Sequence, residues 1–179
     1  LEAALPRYDY IFVGGALAND FLKAEGFVVG TSLVSEGVLD KVQELLATGK
    51  ILLPADVVVE TPAGVHTKRA DQVGPEDKIV DVGPESVTEL GVKIAHAKTI
   101  VWNGPLGLFE GGYANSTKSV AQLVADAPAH SLIGGGDTVA AIRELGLEDQ
   151  FTFLSTGGGA MLDYLVDGNL PGVEVLKQE

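Results

Sequence analysis

The stretch Ser131-Leu132-Ile133-Gly134-Gly135-Gly136-Asp137-Thr138-Val139 holds three successive signals: an apolar run, three glycines, and the opening of a helix. The run is short and has no helical spacing, which suits a strand buried on both faces. The following residues, Asp137 to Leu145, place Val139, Ile142 and Leu145 on one helical face. Phe151-Thr152-Phe153-Leu154 repeats the pattern, running into Ser155-Thr156-Gly157-Gly158-Gly159 and a helix from Ala160 to Val166. Thr99-Ile100-Val101-Trp102 ends in Asn103-Gly104-Pro105, ahead of a helix from Ser116 to Ala125. Upstream, Tyr10-Ile11-Phe12-Val13 leads through Gly14-Gly15 into a helix from Ala16 to Ala24, closing at Gly26. Ile79-Val80-Asp81-Val82 leads through Gly83-Pro84 into a helix opened by Ser86, with Glu89 completing a capping box.

Strands alternating with helices imply right-handed βαβ units. The expected fold is α/β, a three-layer αβα Rossmann-like domain with a mostly parallel sheet. Between the first and second such units lies a helix from Glu36 to Ala47, with Val38, Leu39, Val42, Leu45 and Leu46 at helical spacing and Gly49 at its end. Ile51-Leu52-Leu53 and Val57-Val58-Val59 read as one strand region broken by Pro54. Thr61-Pro62-Ala63-Gly64 is turn chemistry, and the alternation from Val65 to Lys68 predicts a small exposed hairpin.

The chain has 179 residues, 46% of them hydrophobic, and a mean hydropathy of +0.24, so residues 1–179 are expected to form a single domain. The net charge of −13, with arginine only at positions 7, 69 and 143, argues against nucleic acid and anionic membrane surfaces as partners. Cysteine is absent, which excludes disulfides, thiolate metal sites and a cysteine nucleophile. No apolar run reaches the roughly 18 residues of a membrane span. The opening Leu1-Glu2-Ala3-Ala4 has neither a Met nor a basic segment, so no signal peptide is expected, and the chain reads as a fragment.

The 23 glycines are close to twice the average usage of about 7%. Four strands end in glycine clusters where helices begin. Ligands of open parallel sheets bind beyond the carboxyl ends of strands. Helix N-termini there offer free N–H groups and a positive dipole end, and glycine lets phosphate oxygens approach the backbone. The pattern points to a polyphosphate cradle. There is no G-x-x-x-x-G-K-[ST], so backbone amides, a metal, or a lysine from elsewhere must meet the charge. The absence of G-x-G-x-x-G argues against a Rossmann-like oxidoreductase. Asp137 is the candidate ligand for Mg²⁺ on a phosphate, and its competing reading is a helix N-cap. Thr138 divides between a phosphate contact and a first-turn residue. Glu110 divides between a ribose contact and a solvated loop carboxylate. Trp102 reads as core and Lys23 as surface, and His66, His96 and His130 lack ligand spacing.

Three motifs resemble phosphoglycerate kinase: Trp102-Asn103-Gly104-Pro105-Leu106-Gly107-Leu108-Phe109-Glu110, Gly134-Gly135-Gly136-Asp137-Thr138, and Ser155-Thr156-Gly157-Gly158-Gly159-Ala160. Phe12 to Ala16, Phe21 to Ala24, Asp81 to Pro84 and Asn169 to Val173 fit the family in its order. Departures are Asn115-Ser116-Thr117, where the family commonly has Gly-Thr, and Met161, where Ser is usual. The resemblance implies the C-terminal, nucleotide-binding domain of a two-domain cytoplasmic enzyme of glycolysis. The phosphoglycerate-holding N-terminal domain and a segment with G-G-A-K-x-x-x-K lysines would precede Leu1.

By this resemblance Gly14, Gly15, Leu33 and Val80 would border the adenine of ATP or ADP. Asn103, Gly104 and Pro105 would wall the cleft, and Glu110 would take the ribose. Gly135, Gly136 and Thr138 would contact phosphates and Asp137 the Mg²⁺. Gly157, Gly158 and Gly159 would donate amides to the phosphoryl group passing between ATP and 3-phosphoglycerate, the partner held by the missing domain. The chain alone is expected to be inactive. The alternative is a stand-alone module that binds nucleotide without turnover.

Overall fold

The computed structural model describes residues 1–170, so Pro171-Gly172-Val173 of the last family motif lies outside the described residues. The chain divides into two compact units. One comprises Leu1–Lys93 and Pro105–Val120; the other comprises Ile94–Gly104 and Ala121 onward.

In the first unit β1 (Ile11–Phe12) pairs in parallel with β2 (Ile51–Leu52). Helices α1 (Gly15–Ala24) and α2 (Leu39–Leu46) follow β1 and precede β2. Val13, Ala18, Phe21, Val42 and Leu45 make a common core there, with partly buried Val38 and Leu46 against it, whereas Leu39, at the start of a helix shorter than the expected Glu36 to Ala47, is exposed. A second sheet has the order β4-β3-β5, formed by β3 (Asp56–Thr61), β4 (Gly64–Arg69) and β5 (Lys78–Val82), all antiparallel neighbours. The β3–β4 hairpin turns at Pro62-Ala63 and its outer strand is exposed, as its alternation predicts. Leu22, Val29, Val57, Val59, Ala70 and Val73 form a further core cluster.

Two expectations are corrected in this unit. Ile51-Leu52 and Val57-Val58-Val59 are not one broken strand, because the chain leaves β2 at Leu53-Pro54 and enters a different, antiparallel sheet. Ser86 is not an N-cap. Helix α3 (Pro84–His96) starts two residues earlier, and Ser86 lies buried in its first turn. The capping group is Asp56, whose carboxylate accepts from Ser86 N–H at 2.8 Å, Ser86 Oγ at 2.6 Å and Glu85 N–H at 3.1 Å. That partner lies 30 residues away, beyond any local capping rule.

The second unit is the parallel α/β layer the sequence predicts. β6 (Thr99–Asn103), β7 (His130–Gly134) and β8 (Phe153–Ser155) lie in that order, all parallel. Helices α5 (Gly136–Glu144) and α6 (Gly158–Asp167) both pack on β7. Helix α4 (Asn115–Ala125) comes between β6 and β7 in the chain. No helix among the described residues is long and apolar enough to cross a membrane.

Candidate nucleotide site

In the first unit the turn after β1 meets the Pro105–Leu108 segment. Gly14 is the N-cap of α1, with no side-chain cap, and Gly15 starts the helix at φ +60. A Cβ on Gly14 would stand 2.6 Å from Leu106 Cδ2, and one on Gly15 would stand 3.1 Å from Pro105 O. Gly15 N–H donates to Leu106 O at 3.1 Å. Gly15 is therefore glycine for its positive φ and the backbone closing on it, while at Gly14 the crowding comes from the Leu106 side chain.

Val80 is buried in β5, and its carbonyl accepts Leu108 N–H at 2.7 Å. Leu33 stands 75% exposed, an apolar side chain open to solvent. Its carbonyl is held by Asn19 Nδ2 at 2.9 Å, and nearby Asp20 accepts Ser35 N–H at 2.7 Å and Ser35 Oγ at 2.9 Å. The two buried polar residues of α1 thus fix the loop that presents Leu33. Glu110 sits in a single 3₁₀ turn, Phe109–Gly111, exposed and without a hydrogen bond or ion pair among the described residues.

Sequence reasoning missed the residues that hold this loop. Buried Thr117 Oγ1 accepts Leu106 N–H at 2.9 Å. Asp81, also buried, accepts from the N–H and hydroxyl of Ser116, and Gly107 lies against its carboxylate. Burial raises the Asp81 pKa above the ordinary carboxylate value, opposed by the bonds from Ser116. The signal for Asp81 was its place inside the Asp81–Pro84 motif, with a charge at a position that strand periodicity buries.

In the second unit three strand ends align, with Asn103 opposite Gly134 and Gly134 opposite Ser155. From two of these ends helices begin side by side. The N-caps are Gly135, at φ +100, and Gly157, and neither helix has a side-chain cap. Their first-turn N–H groups are left to a ligand or to water.

Asn103 Oδ1 points among the glycines. A Cβ on Gly134 would stand 2.8 Å from it, and one on Gly158 would overlap it. Gly135 N–H donates to Ser155 O at 3.0 Å, which ties the two glycine loops together. Trp102 is half-buried rather than core, and its Nε1 donates to Gly104 O at 2.8 Å.

Gly136 and Gly159 differ from these packed glycines. Neither has a positive φ, and a Cβ on either would meet nothing within 4 Å. Nothing among the described residues requires glycine there, so the bare backbone faces space that an anion can enter. Thr138 is fully buried, and its Oγ1 has no hydrogen-bond partner among the described residues. An orphaned buried hydroxyl at the start of a helix fits a phosphate-side donor better than a first-turn spacer. Asp137 is exposed at the second position of α5, one residue beyond the first helical residue, so the helix-cap reading fails. Its carboxylate makes no bond among the described residues and is a hard oxygen donor of the kind Mg²⁺ takes. No group of three or more His, Asp or Glu able to hold a metal exists among the described residues. Asp137 would therefore hold Mg²⁺ only jointly with oxygens of a bound nucleotide and water.

The sequence profile of the phosphoglycerate kinase family matches residues 1–168. The phosphoglycerate kinase of Salinispora tropica is 44% identical over 99% of this chain, and that of Francisella tularensis subsp. novicida 39% over all of it. The chain spans about half the length of the relatives it matches, 46% and 48% respectively. The phosphoglycerate kinase structure from Coxiella burnetii superposes with a TM-score of 0.87 at 38% identity, covering 98% of this chain and 48% of that one. The Pyrococcus horikoshii enzyme gives 0.85 at 32% identity, covering 98% of this chain and 47% of that one. The strand-end glycine loops, the shared architecture and these identities together establish that the chain belongs to the phosphoglycerate kinase family.

Proposed function

We propose that this chain is the ATP- and ADP-binding portion of a phosphoglycerate kinase, acting in phosphoryl transfer between ATP and the carboxyl group of 3-phosphoglycerate in the cytoplasm. The observation that carries this reading is the pair of uncapped helix N-termini on neighbouring strand ends, with the unpartnered Thr138 hydroxyl buried beside them. Phosphoryl transfer asks for positioning and charge stabilisation more than for covalent chemistry.

Each residue then has a defined task. Leu33, Val80 and the Gly14-Gly15 turn border a base, Leu33 offering the exposed apolar surface. Glu110 accepts from ribose hydroxyls. The Gly136 amide and the Thr138 hydroxyl donate to phosphate oxygens, and Gly135, whose own N–H is held by Ser155 O, lets the phosphate approach its bare backbone. The amides of Gly157, Gly158 and Gly159 donate to the phosphoryl group in transit. Asn103, Gly104 and Pro105 wall the nucleotide. Mg²⁺, held by Asp137 and the nucleotide, supplies neutralisation of phosphate charge.

The acid substrate needs cations that this chain does not concentrate, with three arginines in a net charge of −13. It falls to a further domain of the enzyme, and residues 1–179 act as one nucleotide-binding domain that binds without turning over alone. Titration calorimetry with ADP, with and without Mg²⁺, beside a coupled kinase assay of the same chain, tests this. Weak Mg·ADP binding with no turnover is expected. No heat at millimolar nucleotide overturns the binding reading, and turnover by the chain alone overturns the division of labour.

A further inference from the structure

We propose that Tyr113 and Glu60 form a positioning pair that sets the turn carrying Glu110, and so the recognition of the ribose hydroxyls; the ribose part rests on the nucleotide reading above. Glu110 has no bonding partner of its own among the described residues, so its place is decided by the turn Phe109–Gly111. The turn is fastened at its start by Leu108 N–H donating to Val80 O at 2.7 Å. It closes on itself through Gly111 N–H to Leu108 O at 2.9 Å and Tyr113 N–H to Leu108 O at 3.2 Å.

At the far end the Tyr113 hydroxyl donates to Glu60 Oε1 at 2.6 Å. Glu60 belongs to β3, a strand paired on both sides, so the acceptor stands on a rigid element. The other carboxylate oxygen of Glu60 lies 3.7 Å from Lys78 Nζ on β5, which helps orient the acceptor. The Tyr113 ring backs the turn: a Cβ on Gly111 would meet its Cδ2 at 3.3 Å and Leu108 Cδ2 at 3.1 Å. The anchored ring is thus the wall against which the turn closes. A hydroxyl-to-carboxylate bond is among the stronger kinds and is directional. Two vicinal hydroxyls demand a carboxylate held in one place, and this bond holds the backbone that carries it.

The test uses the full chain with Tyr113→Phe, Glu60→Ala and the double variant. Hydrogen exchange at the amides of Gly111, Gly112 and Tyr113 reads the turn directly and needs no nucleotide. Tyr113→Phe is expected to speed exchange there severalfold while the amides of β3 keep their protection. Unchanged exchange overturns the pair. Affinities are then measured for ADP and for an ADP analogue lacking both ribose hydroxyls. Each single variant is expected to lose about two- to tenfold in ADP affinity, the value of one hydrogen bond, and to leave the analogue's affinity unchanged. The double variant is expected to lose no more than either single one. Equal losses for ADP and the analogue mean a merely structural role and overturn the ribose part, as do additive losses. If the unaltered chain binds neither ligand, the nucleotide reading and the ribose part fail together, while hydrogen exchange still decides the pair.

Discussion

The carboxylate of Asp81 accepts both the backbone N–H and the hydroxyl of Ser116, joining the end of β5 to the first turn of α4. Burial makes the ionised form costly, and the pKa lies above the ordinary 3.8. A carboxylate whose pKa is raised by folding binds more protons in the folded state within that window, so stability falls as pH rises through it. Compared with Asp81→Asn, the native chain is therefore expected to lose melting temperature as pH climbs from about 4 through the raised value, and then to level off. Thermal melts of both proteins across that range measure it. A native chain that gains on the variant with rising pH would mean that the Ser116 bonds outweigh burial.

Asp137→Asn is expected to weaken Mg·ADP binding far more than metal-free ADP binding. The carboxylate caps nothing, so the melting temperature should hardly move. Affinities of both proteins with and without Mg²⁺ give a double difference that isolates the metal contribution. A double difference of zero removes Asp137 from the metal's coordination.

The glycines after β7 and β8 should separate by role. Alanine at Gly158 would overlap Asn103 Oδ1 and crowd Gly135, so Gly158→Ala is expected to cost about 1–3 kcal/mol of stability. Gly136→Ala and Gly159→Ala meet no atom of the described residues within 4 Å and should keep or slightly raise stability, since alanine suits a helix better. Both should nonetheless weaken ADP binding. Denaturant titration beside calorimetry distinguishes the classes, and undiminished affinity in the open-space variants would deny those backbones a phosphate.

Ser86→Ala removes the hydroxyl's buried bonds with Asp56, leaving the backbone N–H bond, and is expected to cost about 1–3 kcal/mol. Glu89→Ala, at the exposed residue a capping box would have used, should stay within about 0.5 kcal/mol. Urea unfolding of the pair measures both, and comparable losses would restore the local cap.

The β–glycine–helix order of the second unit was legible because each connection there is local and each strand is apolar. For Asp137 the sequence offered a metal ligand or a cap, and the helix start at Gly136 sets aside the cap. Sheet membership in the first unit was not, since Val57 to Val59 read alike whether their neighbours run parallel or antiparallel. The pins of the candidate site escaped for a related reason. Asp56 with Ser86, Asp81 with Ser116 and Tyr113 with Glu60 are isolated pairs separated by 30 residues or more, and periodicity carries no record of such pairs.

The hairpin leaves β4 with one row of backbone N–H and C=O groups unmatched, a template on which a foreign strand can extend the sheet. Its sequence, Gly64-Val65-His66-Thr67-Lys68-Arg69, answers that exposure. Lys68 and Arg69 place like charges on consecutive residues of the open edge, and Lys68 is tethered to Asp77 at 2.6 Å. A copy added in parallel and in register would bring these cations against their counterparts. The strand that carries none of the proposed chemistry therefore works against that mode of edge-to-edge assembly.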